Sequence, residues 1–353
     1  MNTTPEAEFD YQAYLKKYPP DLSKIERGTA ARERRQEAAG HNHYGLEHRA
    51  KGELVLAIEA FTQAIVLNPD FAKAYNNRGA VYNDKGDFDR AMVDFDRAIQ
   101  LRPGLADAYF NRGGAYVTKG EYARAIVDYS MAIHNHPDYA DAYTNRGLAY
   151  AKKGDYDRAI ADFTKAIGLK PNTPDVDTRR GVVYGDKDEF NRAIEDFTKA
   201  RELNPNFAIA HNNRGVAYRK KGEFDGLTEH AVIDAIEDFN TAIQLDPGYA
   251  CAYYNRGVVW LHLNAWDQAK ADLITAKNMG IDIPVAFRKE YETVSDFRSK
   301  HNIQLPEDIT TMLAPREIAV EGWLSMPSME SSVQPDWWWS LSVVAGKPVT
   351  PSS

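Results

Sequence analysis

Apolar and polar positions along residues 72–101 follow a helical rhythm twice over. Tyr75, Gly79 and Tyr82 fall at i, i+4 and i+7, and after a short polar break Ala91, Phe95, Ala98 and Ile99 repeat that spacing. Two amphipathic helices are predicted, one in each half. Gly86 in the break tolerates the left-handed backbone that ends a helix and reverses the chain. Pro103 stops the second helix, because proline cannot continue it.

The same arrangement then recurs. Gly45, Gly79, Gly113, Gly147, Gly181 and Gly215 stand 34 residues apart, and Gly257 follows after 42, so seven copies are expected, one with an eight-residue insertion near 226–233. Twelve residues after each glycine (twenty across the insertion) stands an alanine, for example Ala91, Ala125 and Ala159, and seven later another, such as Ala98, Ala132 and Ala166. Small residues this regular mark close helix crossings. The turn position reads Gly52, Gly86, Gly120, Gly154, Asp188, Gly222 and Asn264, all residue types that tolerate a left-handed backbone.

The pattern Tyr-x2-Arg-Gly-x2-Tyr, then Ala-x3-Phe, then Pro, at a period of 34, resembles the tetratricopeptide repeat over residues 38–284. The resemblance implies an all-α fold, a right-handed superhelical solenoid of antiparallel helix pairs whose first helices line a concave groove. It also implies partner binding rather than catalysis. One departure is informative. The slot before the glycine, usually leucine in the family, is Arg78, Arg112, Arg146, Arg180, Arg214 and Arg256, and 16 positions later (24 across the insertion) stand Asp94, Asp128, Asp162, Asp196, Asp238 and Asp272. The first copy has Tyr44 and Ala60, so both charges are absent together. A charge-assisted pair within or between neighbouring repeats is the structural expectation; solvated residues copied by duplication are the alternative.

The family's inward sixth position holds His43, Asn77, Asn111, Asn145, Arg179, Asn213 and Asn255. An asparagine side chain offers donors and an acceptor that match a peptide group, so a stacked row could hold an extended partner segment by its backbone. The row resembles the asparagine ladder in the superhelical repeats of enzymes that add N-acetylglucosamine to serine and threonine. Bonds between neighbouring helices are the competing reading. The family's carboxylate clamp for acidic C-termini is ruled out, since its lysine slot holds Asn42, Asn76, Phe110, Thr144, Thr178, Asn212 and Tyr254. Groove cations and anions nearly balance, at six against five, so the basic stripe that nucleic acid requires is missing. Apolar groove residues Phe110, Leu148, Tyr254, Val258 and Leu261 suit an uncharged peptide.

Composition adds bounds. With 27% charged and 43% apolar residues and a formal net charge of −8, the chain is that of a folded soluble protein, and no apolar run is long enough to cross a bilayer. A single cysteine, Cys251, and a start without a secretory pattern lead us to expect a cytoplasmic protein. The His-x-His pairs at His41/His43 and His134/His136 lack the further ligands of a metal site, and no nucleotide-binding or nucleophile motif occurs. Neither a cofactor nor an enzymatic activity is expected.

Around the repeats, residues 1–37 form a charged segment that leads into the first repeat as a cap. Residues 285–313 supply closing helices, with Phe287, Tyr291, Val294 and Phe297 on one face. From 314 to 353 the composition predicts a disordered tail whose Trp337, Trp338 and Trp339 dock a partner, a membrane interface or the chain itself. The reading is a scaffold that binds an extended segment of a protein partner; the alternative is a self-assembling protein joined through the tryptophan tail or the solenoid ends.

Overall fold

The computed structural model describes residues 29–225 and 229–314. Among them it contains seventeen α-helices and no strand. The chain divides into two compact units, Met1–Ala149 and Tyr150–Ser353. In the first lie α1 (Thr29–Ala50), α2 (Leu54–Leu67), α3 (Ala72–Asp84), α4 (Phe88–Leu101), α5 (Ala106–Thr118), α6 (Tyr122–Asn135) and most of α7 (Ala140–Lys152). The second holds α8 (Tyr156–Leu169), α9 (Pro174–Asp186), α10 (Phe190–Leu203), α11 (Ala208–Asp225), α12 (Glu229–Leu245), α13 (Ala250–His262) and α14 (Trp266–Asn278). It closes with α15 (Ile283–Glu290), α16 (Val294–His301) and α17 (Glu307–Leu313). Each unit is an all-α repeat solenoid in which successive helices pair, and each pair stacks on the next.

The boundaries follow the residues that break helices. The second helices end two residues before Pro69, Pro103, Pro137, Pro171, Pro205 and Pro247, because the residue preceding a proline is pushed out of the helical region. At the start of α4, Asp87 accepts a hydrogen bond from the Arg90 backbone N–H. The turn before it reverses at Gly86, whose φ of 78° is left-handed; Asp188 (φ 59°) and Asn264 (φ 56°) do the same work where glycine is replaced.

Gly222 departs from the expected turn. It lies inside α11, which runs 18 residues against 13 for α3, while α12 runs 17 against 14 for α4. The insertion therefore lengthens both helices of its pair by five and three residues and moves the reversal downstream. Similarly, residues 29–50 form one continuous helix across the expected boundary at 37/38. The closing segment is three helices, and its residues 283–301 are split into two of them, α15 and α16. Thr293 caps α16 by accepting from the Asp296 backbone N–H, which fixes a break between Glu290 and Val294. Phe287, Tyr291 and Phe297 are nonetheless all buried in one cluster, with Val294 packed against it.

The recurrent glycine is a packing device. A Cβ on Gly79 would sit 2.9 Å from the Phe95 ring, and on Gly113 2.8 Å from Tyr129. Phe95 is fully buried and has nowhere to move. Gly79→Ala gains up to about 1 kcal/mol of helix propensity but overpacks this crossing at about 1–3 kcal/mol. A net loss of about 1–2 kcal/mol is expected in urea denaturation; an unchanged midpoint would contradict the close-crossing account.

Candidate binding faces

Arginines in the seventh position are staples, not ligands. The Arg112 Nε and Nη2 donate to the two Asp128 oxygens at 2.7 Å each, while Nη1 reaches back 16 residues to Asp96 Oδ1 at 2.6 Å. Arg78, Arg180, Arg214 and Arg256 grip Asp94, Asp196, Asp238 and Asp272 in the same fork. Their remaining Nη1 groups donate to Thr62, Thr164, Thr198 and Asn240, and that of Arg146 to Ser130. Each of the five forked guanidiniums thus ties its own first helix to the second helix of the preceding pair and, through the fork, to its own second helix. Rings stack on the same groups: the Arg112 guanidinium lies 5.8 Å from the Tyr109 centroid and that of Arg256 5.6 Å from Tyr253. This consumes their donors and leaves the adjoining asparagine face for other contacts.

On that face in the first unit, the amides form a relay. Asn111 Nδ2 donates to Asn76 Oδ1 at 3.0 Å, Asn76 Nδ2 to Asn77 Oδ1 at 3.4 Å, and Asn77 Nδ2 to Asn42 Oδ1 at 3.0 Å. Each bond between pairs spans 35 residues, joining the sixth position of one first helix to the fifth of the one before. Asn145 stands 35 residues after Phe110, which has no amide to offer. The relay stops there. Among the described residues, the half-buried Asn145 amide and the Asn111 carbonyl oxygen take no side-chain partner. Phe110 between them is half-buried and stacks on Tyr139 at 4.9 Å with 28° between the rings. Tyr139 is fixed by donating to Asp107 at 3.3 Å, and Leu148 is also partly exposed.

In the second unit the equivalent face is closed. Asn213 and Asn255 have no exposed surface and Tyr254 retains 2%. Asn255 Nδ2 donates to Asn212 Oδ1 at 2.9 Å, and Asn212 donates to Asn213 at 3.1 Å. Tyr254, Val258 and Leu261, expected to meet an uncharged peptide, instead pack in one apolar cluster with Ile283, Phe287 and Phe297 of the closing helices. None of these residues offers surface to a partner in this arrangement. Two groove cations of this unit, Arg219 and Lys220, are also occupied. Arg219 Nη1 donates to Glu223 Oε1 at 2.6 Å and to the Tyr291 hydroxyl at 3.1 Å, and its Nη2 donates to Glu290. Lys220 reaches Glu290 at 2.7 Å, and the Tyr291 hydroxyl donates to Glu223 at 2.8 Å. Two cations and two carboxylates balance, with Arg219, Glu223 and Glu290 buried and Lys220 at the edge. Burial alone would raise the Glu290 carboxyl, but Arg219 and Lys220 outweigh it and hold it down at about 2. Elsewhere Arg49 pairs with Asp84 and Arg179 with Asp175, while Lys73 and Lys152 stay exposed.

Profile models of the family described as tetratricopeptide repeat match residues 72–105 and 140–173, and a second model of that repeat matches 45–83, 113–154 and 181–222. The chain belongs to the tetratricopeptide repeat family. No curated protein matches it significantly. Among solved structures, a tetratricopeptide repeat protein from Parabacteroides merdae is 20% identical with a TM-score of 0.54, covering 71% of this chain and 96% of its own. PilF of Pseudomonas aeruginosa is 18% identical with a TM-score of 0.53, covering 61% and 95%. Both likenesses are of fold. YrrB, described as a tetratricopeptide repeat protein with an unusual peptide-binding site, is 26% identical over 54% of this chain and 94% of its own, with a TM-score of 0.46.

In this tetratricopeptide repeat chain His43 is exposed and lies 3.3 Å from Glu47, and among the described residues no three His, Cys, Asp or Glu side chains converge as a metal site. No described helix is long and apolar enough to cross a membrane. Trp337, Trp338 and Trp339, on which the self-assembly alternative rests, lie outside the described residues.

Proposed function

We propose that the protein is a non-enzymatic scaffold of seven repeats that holds an extended, uncharged segment of a partner protein on the first-helix face of its first unit. The observation that carries this reading is the interruption of the amide relay at Phe110. A partner peptide group laid over Phe110 would supply what that position lacks: its carbonyl oxygen accepts from Asn145 Nδ2, and its N–H donates to the Asn111 carbonyl oxygen. The Phe110–Tyr139 stack and Leu148 would take apolar side chains on either side. Asn77, by contrast, holds the repeats together through Asn42 and Asn76, so it contributes stability and little affinity.

The test is a random peptide library displayed on phage and panned against the full chain. Enriched sequences should be uncharged and extended. They should lose roughly tenfold in affinity on Asn145→Ala, about the 1.4 kcal/mol of one net hydrogen bond. Asn77→Ala should leave affinity unchanged and lower the melting temperature. Equal affinity for the two variants, or enrichment of acidic sequences alone, would remove Asn145 from the site.

A further inference from the structure

A cap that only sealed the solenoid would cover α13 and α14, the last pair. Here the chain continues past that task. After Phe287 has packed against α13 and α14, residues Glu290 and Tyr291 reach back to α11, the first helix of the preceding pair, and meet Arg219 71 and 72 residues earlier in sequence. Arg219 and Glu290 side chains are 1% and 0% exposed, and the first-helix residues met by the closing segment include Arg219 and Lys220 at the twelfth and thirteenth positions of α11 and Tyr254, Val258 and Leu261 at the fifth, ninth and twelfth of α13. Those are the positions at which this family's inward face would meet a partner segment. The insertion takes part as well. By continuing α11 beyond the usual turn, it delivers Glu223 to the Tyr291 hydroxyl and to Arg219.

We infer that the inward face of α11 and α13 is a recognition site for a segment carrying a carboxylate next to a tyrosine, and that residues 287–301 fill it as an intramolecular ligand. A partner segment of that chemistry enters by displacing them. Arg219 and Lys220 together read the carboxylate, Glu223 accepts from the tyrosine hydroxyl, and the Tyr254–Val258–Leu261 strip takes the neighbouring apolar side chains. Because the tethered segment acts at an effective concentration on the order of millimolar, weak outside peptides fail against the intact chain. The site is separate from the Asn145 face and does not rest on it.

The probe is a synthetic peptide of residues 283–301 added to the full chain carrying Glu290→Ala and Tyr291→Ala. Calorimetry should show saturable binding at least tenfold tighter than for a peptide bearing the same two changes, and no binding at micromolar peptide to the unchanged chain. Equal affinities of the two peptides, no binding to the variant, or binding to variant and unchanged chain alike would overturn the inference. Should circular dichroism show that the variant does not fold, hydrogen exchange on the unchanged chain decides. Amides of 287–301 should then exchange as a unit ahead of those of α11 and α13, and simultaneous exchange of all three overturns it.

Discussion

Asp128→Ala is expected to destabilise the first unit by about 3 kcal/mol, while Asp96→Ala costs under about 1 kcal/mol. Both remove a carboxylate that touches Arg112 at 2.7 Å or less, so charge and distance predict equal losses. Burial separates them. The Asp128 side chain is 4% exposed and bidentate, whereas that of Asp96 is 61% exposed and shares its charge with water. Removing Asp128 leaves two guanidinium donors facing a protein interior, and the loss of their partner dominates the cost. Urea denaturation of both variants, followed by circular dichroism, checks the ratio. Because repeat stacks unfold in segments, hydrogen exchange over α5 and α6 supplies the local value. Losses that are equal for the two variants would mean that the fork is not a buried staple.

The repeat register, the helix ends and this arginine–aspartate grid were legible because internal copies acted as their own alignment. A residue pair that appears six times and vanishes jointly at Tyr44 and Ala60 leaves a coupled signal. The asparagine row was harder. Its members share one slot at a 34-residue step, but the bond that holds each spans 35, to the fifth position of the previous copy. Comparing slots with one another hid that offset, although Asn42, Asn76 and Asn212 were visible, and so was Phe110, which has no polar side-chain group to offer Asn145. Gly222 carried the residue type of a turn and adopted a helix, since an insertion four residues later let the helix continue. Nothing in the sequence marked Glu290. A single carboxylate on a closing helix has no copy to compare with, and its partner on α11 is fixed only by the fold.

The closing cluster should also make the second unit acid-labile well above the pH at which carboxylates protonate. His262 is 7% exposed, donates from Nδ1 to the Val258 carbonyl oxygen at 3.0 Å, and faces Glu223, Arg219, Glu290, Tyr291 and His301. Burial pushes it down to about 4; Glu223 opposes the shift, while Arg219 and His301 add to it. The folded state therefore binds its proton less readily than the unfolded chain, whose histidine titrates near 6.5. Stability is complete above pH ~6.5 and falls as the pH drops from there towards ~4, because the unfolded state gains the proton first. At pH ~4.5 the loss from His262 is about 2.5 kcal/mol. Glu290 works at lower pH in the same direction. Its carboxyl is depressed to about 2, so the stability it contributes is present above the unfolded value near 4.5 and disappears below it. Two steps should thus be resolved in denaturation midpoints taken from pH 7.5 to 3. His262→Gln, neutral throughout, should remove most of the upper step, the remainder belonging to His301, which burial also holds below its ordinary value, and leave the lower. A profile that stays flat between pH 6.5 and 4.5, or a Gln variant that retains the upper step in full, would show that His262 is not the group whose protonation loosens the cap.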